Sequence, residues 1–357
     1  MKKYTVWMVF CLVFFGVLYI GRPLLMPLVL AVFIWYLVNI LTDAFASRLP
    51  WIKVSLPRSL AFCAALFTIT GAIYVALRII VTNISGVAAA VPVYQYNLEQ
   101  MSLRLLALVP WGEPFTITKL LAGIDANSIT RVVVNEVTNI FSKGTIVAVY
   151  LIFLFLEQGS FSGKLKSLFP GDHGWKEILA CVSADVRTYI GIKTIVSVVT
   201  ALLSYAVMKS VGLNFASFWA FLVFLLNYIP TFGSIVATAL PTFFALMQYD
   251  SLAPFFVVLL GVGALQMIIG NVIEPKFQGD GLNLSPLVIL FSLGLWNMIW
   301  GIPGMFMCVP LTAVAMIICS HFPQTRRIAV ALSRNGSLSR ELDRKKTVAE
   351  KAGVGDY

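Results

Sequence analysis

Two long apolar stretches in the last third of the chain are each broken once, in the same way, and the breaks restrict what the chain can become. The first runs from about Gly212 to Gln248 and is interrupted by Asn227-Tyr-Ile-Pro-Thr-Phe-Gly233. The second runs from about Leu284 to Ser320 and is interrupted by Gly301-Ile-Pro-Gly304. Each follows one ordinary membrane-length apolar run. Proline removes a backbone donor and glycine loosens φ, so both breaks free backbone N–H and C=O groups. Facing lipid, those groups would have no water to bond; at that depth irregular backbone survives only buried in protein or lining a cavity. Interrupted hydrophobic segments placed alike in two halves point to the substrate site of a transporter.

The rest of the composition fits a membrane setting. The chain has 357 residues, of which 59% are hydrophobic and 12% charged, with a mean hydropathy of +0.89. Soluble domains carry about 25% charged residues, so the chain reads as an integral membrane protein throughout. Apolar runs at 4–20, 23–41, 59–82, 144–157, 189–211 and 252–273 read as crossings, the shorter ones extending into flanking helix. The run after Lys2-Lys3 could imitate a signal peptide, but Ile20-Gly-Arg-Pro offers no small-residue cleavage site and another span follows at once, so it reads as a retained helix.

Charge then sets orientation. Loop 42–58 carries Arg48, Lys53 and Arg58, and loop 158–188 carries Lys164, Lys166, Lys176 and Arg187. The positive-inside bias puts the N-terminus and both loops in the cytoplasm and the segment 83–143 outside. The tail from His321 has eight Lys/Arg against four Asp/Glu and also belongs inside. With 189–211 running outward and 252–273 inward, that holds only if each broken stretch makes an even number of crossings, whether as re-entrant or full hairpins. The unit of helix plus broken hairpin then occurs twice in opposite orientation, at 189–248 and 252–320, an inverted repeat whose tips are expected to approach each other within the membrane. Ile229-Pro230 and Ile302-Pro303 at the tips, with Leu240-Pro-Thr242 and Val309-Pro-Leu-Thr312 in the returning arms, support it.

The expected fold is an all-α polytopic membrane protein of about six to eight transmembrane helices. Residues 1–82 form N-terminal helices, 83–143 an extracytoplasmic arm, 144–188 a helix with a basic loop, 189–320 the core of two inverted units, and 321–357 a basic tail. In the arm, Pro92, Pro110 and Pro114 break the first part, and a helical pattern runs from Asn127 through Ile129, Val132, Val133, Glu136 and Ile140. Its expected role is packing against neighbouring subunits.

The densest polar cluster within a span is Gln266-Met-Ile-Ile-Gly-Asn271-Val-Ile-Glu274-Pro275-Lys276. On a regular helix Gln266, Gly270 and Glu274 lie at i, i+4 and i+8 with Asn271 beside them, giving one polar, grooved face. Pro275 is expected to end the helix near Glu274. Polar groups inside a membrane are costly and mark pathways or paired sites; Glu274 and Lys276 could equally sit at the inner interface and pair with a nearby base or acid. In the first break, Asn227 precedes Pro230, Thr231, Gly233 and Ser234, which suit a structural turn or a binding loop. In the second, Trp296-Asn297 and Trp300 flank Pro303 and Gly304, and the tryptophans read as interfacial anchors.

Other residues point away from other functions. Lys193 reads as snorkelling to the inner surface. His173 and His321 stand alone, and no nucleophile–base constellation, phosphate loop or dinucleotide fingerprint is present, which argues against an enzyme. Cys11, Cys63, Cys181, Cys308 and Cys319 show no CxxC or Cys/His spacing and read as small core hydrophobes, with no metal site or cofactor implied. Arg326, Arg327, Arg334 and Arg344-Lys-Lys346 suit anionic lipid headgroups. The aromatic residues accompany apolar spans and not basic clusters, so no nucleic-acid partner is expected.

At several of these positions the chain resembles the autoinducer-2 exporter family of bacterial inner-membrane proteins. The matching runs are Asn227-Tyr-Ile-Pro-Thr-Phe-Gly-Ser234 with Pro241, and Gly270-Asn-Val-Ile-Glu-Pro-Lys276 with Gly279. They continue through Gly281-Leu-Asn-Leu-Ser-Pro-Leu-Val288 to Gly301-Ile-Pro-Gly304 and Val309-Pro-Leu-Thr312. The resemblance is strongest over about 215–320. It implies export of a quorum-sensing furanone in some members, sodium– or lithium–proton antiport in others, and a homo-oligomer, a pentamer. Some relatives carry no acid at the place of Glu274, so that residue need not be a family-wide proton carrier.

Export of a small polar solute across the inner membrane, with both termini cytoplasmic, is the function the residues favour. The candidate solute-binding set is Asn227, Pro230, Thr231, Gly233, Ser234, Gln266, Gly270, Asn271, Glu274, Pro303 and Gly304. An antiporter calls for buried carboxylates near mid-depth, and the intraspan acids, Glu157 and Glu274, lie close to cytoplasmic ends. Active transport would draw on a proton or sodium gradient, since no ATP-binding motif is present. The alternatives are a sodium– or lithium–proton antiporter and a non-transporting oligomeric scaffold.

Overall fold

In the computed structural model, the structure describes residues 2–47, 56–108, 144–168, 174–278 and 283–336. The pattern from Asn127 to Ile140, His173, Gly279, Gly281 and the tail beyond Gly336 lie outside them. Among the described residues the ordered elements are helices, with one isolated antiparallel bridge between Leu284 and Ser333. They are α1 (Lys2–Ile20), α2 (Arg22–Ala46), α3 (Arg58–Leu108), α4 (Gly144–Glu157), α5 (Phe161–Leu168), α6 (Gly174–Ser210), α7 (Ala216–Leu226) and α8 (Phe232–Gln248). There follow α9 (Leu252–Ile268), α10 (Glu274–Gln278), α11 (Pro286–Trp300), α12 (Ile302–His321) and α13 (Arg326–Leu332).

Among the described residues, five helical segments are long and apolar enough to cross a membrane: Arg22–Ala46, Arg58–Asn83, Ile178–Ser210, Leu252–Gln278 and Ile302–His321. These helices and the shorter apolar one at Pro286–Trp300 carry large apolar side chains on their surfaces, among them Phe67, Phe291, Leu287 and Met298, each at least 72% exposed. Water would not tolerate so many together, and lipid or a neighbouring subunit would. This is an all-α polytopic membrane protein.

The chain divides into two compact units. One comprises Met1–Ile40, Ile146–Ile192 and Phe277–Tyr357; the other comprises Leu41–Thr145 and Lys193–Lys276.

The second unit holds the first broken stretch. At 1.5 Å per residue the 11 residues of α7 cover about 16 Å. That is half of a hydrocarbon core of about 30 Å, so α7 has the length of a re-entrant arm. The open end of the α7–α8 hairpin is clamped by Gln248, whose amide donates to the Gly212 carbonyl (3.1 Å) and accepts from the Asn214 N–H (2.7 Å). Tyr249 adds a bond to the Val211 carbonyl at 2.6 Å. Behind the hairpin, Met208, Trp219, Phe244, Val258 and Val262 form one apolar cluster.

Two expectations about helix breaks fail here. Helix α3 runs unbroken through position 92 to Leu108. A proline removes a single ladder bond, and the intact bonds on either side carry the helix across. Its far half packs on the first hairpin of the same chain: Asn97 donates to the Met247 carbonyl at 3.0 Å, and Gly86 meets the Phe215 ring. Nor does Pro275 end its helix, which continues to Gln278 by widening into a π turn over Ile269–Ile273, where the Glu274 N–H bonds Ile269 five residues back. The wider turn gives the proline ring room beside the carbonyl it would otherwise strike.

The first unit holds the second hairpin, α11–α12, and here the tryptophans are not interfacial anchors. Trp300 is buried and donates its indole N–H to the Leu18 carbonyl on α1 (3.0 Å); Trp296 donates to Thr312 Oγ1 on the returning arm (3.2 Å). The rings pack at 5.1 Å. A buried indole needs an acceptor, and both find one inside the fold. Beyond α12, the bonds Ser285 N–H to Leu332 O (3.0 Å) and Arg334 N–H to Asn283 O (2.8 Å) tie α13 to the start of α11.

Candidate solute site

The site assembles on one face of α6. Lys193, Ser197, Thr200 and Ser204 follow at spacings of four, three and four, which stacks them along a single stripe. All four are buried. Three of the stripe's neighbours are polar groups from elsewhere in the unit. Lys193 Nζ lies 2.6 Å from Glu274 Oε1, at the end of the π turn, with the two side chains 7% and 13% exposed. Lys193 therefore does not snorkel; an anion within reach holds it inside. Thr194 Oγ1 accepts from the Tyr228 hydroxyl at 2.8 Å, and Ser197 Oγ from the Asn227 amide at 3.0 Å. Thr200 turns its hydroxyl back to the Val196 carbonyl (2.8 Å).

Asn227 and Tyr228 reach the stripe because the hairpin tip is tightly constrained. Phe232 N–H bonds Pro230 O at 2.6 Å across Thr231, which sits at φ 59°, ψ −60°. This is a γ-turn of the rare positive-φ kind, unfavourable for a β-branched residue by about 1–3 kcal/mol. The Ser234 hydroxyl caps the Thr231 carbonyl at 2.8 Å. Gly233 is buried against the Leu226 carbonyl, where a Cβ would collide with backbone. Gly304 is pressed in the same manner against the Trp296 carbonyl in the second hairpin, after Gly301 at φ 67°. Each break thus depends on one glycine that lets two arms close.

The structure gathers Asn227, Gln266 and Glu274 as buried or half-buried groups within one unit. Thr231 is exposed at the tip, and Pro230, Gly233 and Ser234 build the turn itself. Asn271 is exposed on the flank of the π turn. Gly270 has open space where a side chain would be. Pro303 and Gly304 belong to the other unit. The hydroxyls of α6 escaped the sequence reading, although a 4-3-4 run of polar residues inside an apolar span was there to be seen.

Among the described residues of this unit, four buried side-chain atoms have no hydrogen-bond partner: Ser204 Oγ, Trp219 Nε1, Thr242 Oγ1 and Gln266 Nε2. Native interiors leave few such groups, and each calls for a reason. Among the described residues no group of three or more His, Cys, Asp or Glu could hold a metal.

Long apolar helices, two pinched hairpins and a buried polar seam beside one of them define a polytopic transport protein. The sequence profile of the AI-2E family transporters matches residues 8–324, and the chain belongs to that family. It is 28% identical over 320 residues to the AI-2 transport protein TqsA of Escherichia coli K12, covering 88% of this chain and 90% of that one. A Haemophilus influenzae protein, named provisionally as a transport protein, is 29% identical over 327 residues, 88% of this chain and 91% of its own. One from Borreliella burgdorferi, named in the same terms, is 32% identical over 208 residues, 57% of this chain and 58% of its own.

Proposed function

We propose that this protein is a secondary transporter that exports a small, polar, uncharged solute across the bacterial inner membrane, with autoinducer-2 the first candidate. The observation that carries this is the state of the acids. Glu274 is ion-paired with Lys193, and Glu157, the other intraspan acid, with Lys164 at 3.0 Å. A carboxylate matched by a buried lysine is poorly placed to exchange a cation, whereas amides and hydroxyls beside it suit a neutral hydroxylated ligand. Similarity to a relative named for AI-2 transport agrees with that chemistry.

The test is reconstitution of the full chain in liposomes, following autoinducer-2 efflux and luminal pH together. Saturable efflux is the expected result. A sodium- or lithium-driven pH change with no solute flux would replace this function with antiport, and neither signal would leave the scaffold reading.

A further inference from the structure

We infer that Ser204 and Gln266 form an occluded subsite that binds adjacent oxygen atoms of a neutral, hydroxylated solute. This deepens the export reading and rests on it. Helices α6 and α9 lie side by side and antiparallel, since Lys193 pairs with Glu274 near one end and Val207 packs on Gly261 near the other. The residue numbers in these two contacts sum to nearly the same value, so the register holds along the pair. That register puts Ser204 and Gln266 within about 5 Å of the same level, at 1.5 Å per residue. Side chains lean toward the N-terminus of their own helix, and on antiparallel helices these two therefore lean toward each other. Both are buried, yet Ser204 Oγ and Gln266 Nε2 are unpartnered.

The level is closed on both sides. Towards one end lie the Lys193–Glu274, Tyr228–Thr194 and Asn227–Ser197 bonds. Towards the other lies the apolar cluster of Met208, Trp219, Val258 and Val262. Between them a pair of groups offers N–H donors from Gln266 and a donor–acceptor hydroxyl from Ser204. A metal cation wants converging oxygens, and a central amide donor is unsuited to it. A carbonyl or hydroxyl oxygen next to a second hydroxyl satisfies both groups at once.

Ser204→Ala and Gln266→Leu each remove an unpaired group with little change in volume. In the full-length protein without solute, both variants should melt at or above the wild-type temperature, because an apolar replacement relieves a buried, unbonded polar atom. Autoinducer-2 efflux from liposomes should fall about tenfold in each, the loss of one hydrogen bond. A melting temperature lowered by several degrees in both would mean structural partners, and would overturn the subsite. Wild-type efflux in both variants would overturn it too, while leaving the export reading intact. If wild-type vesicles carry no autoinducer-2, that solute assignment fails alone, and erythritol and ribitol take its place in the melting assay. Protection of the wild type but not the variants then upholds the subsite; no protection of the wild type overturns it.

Discussion

Lys193 and Glu274 stand 81 residues apart in the chain, yet Nζ and Oε1 are 2.6 Å apart in the interior of one compact unit. The pair joins the start of the polar stripe on α6 to the end of the π turn. It is the one link in the seam with charge on both sides.

Removing one member strands the other. Lys193→Met should destabilise the protein by about 3–5 kcal/mol, and Glu274→Gln should also cost several, since a buried charge loses its partner. The combination Lys193→Met with Glu274→Gln should recover most of the loss, and denaturant midpoints of the four proteins measure the coupling. A double variant as unstable as the sum of the singles would mean the two residues do not interact. The same cycle refines the functional test. Glu274→Gln alone confounds proton coupling with instability, so flux is best compared in the stable double variant, where solute export should persist at reduced rate.

The pinched hairpins give a second prediction. Gly233→Ala and Gly304→Ala each drive a Cβ into backbone of the opposing arm, and neither carbonyl can move without opening its hairpin. Both variants should lower the melting temperature sharply or fail to fold. Gly270→Ala enters open space, so it should fold normally, and any fall in its flux would come from narrowing the groove beside the π turn. Equal stability of all three would show that the hairpins tolerate separation.

Much of this was legible in the sequence. The breaks at 227–233 and 301–304 are legible because proline and glycine fall together there, whereas a lone proline such as Pro241 or Pro310 stays inside its helix. Membership of the family followed from runs centred on the same residues. What the sequence concealed was tertiary or register-dependent. A π turn has no signature of its own, and nothing in the spacing of Asn271 beside Gln266 and Glu274 tells that its side chain is exposed while theirs are covered. Trp296 and Trp300 resemble membrane anchors until their acceptors, Thr312 and the Leu18 carbonyl, are brought beside them. Lys193 looks like a snorkelling lysine unless Glu274, far along the chain, is known to face it. Pro92 marks a weak point in a helix whose neighbours on the first hairpin hold it together.

The tail divides at a definite place. Backbone bonds from Ser285 and Arg334 and the Leu284–Ser333 bridge hold α13 to the start of α11, so residues to Gly336 are part of the fold. Deleting 337–357 should leave efflux nearly unchanged and weaken only binding to anionic vesicles, by about 1 kcal/mol for each basic residue lost near the surface. Truncation after Pro323 should lower stability as well, because it leaves the Asn283 carbonyl and Ser285 N–H without their partners. Loss of efflux in a folded, inserted 337–357 deletion would place the tail in the transport cycle.

Asn271 offers the sharpest separation of structure from function. Its side chain is exposed on the flank of the π turn, and substitutions at such positions change stability by about 0.5 kcal/mol or less. Asn271→Leu keeps the volume and removes both the donor and the acceptor. If the amide lines the solute path beside Gly270, the variant should melt with the wild type and lose most of its efflux, since a polar solute leaving water needs each hydrogen bond it is offered. A lowered melting temperature would instead assign Asn271 to subunit contacts, where an exposed amide becomes buried by a neighbouring chain. Wild-type efflux at equal expression and equal melting temperature would remove it from the path and leave the buried seam of α6 as the place where the solute is held.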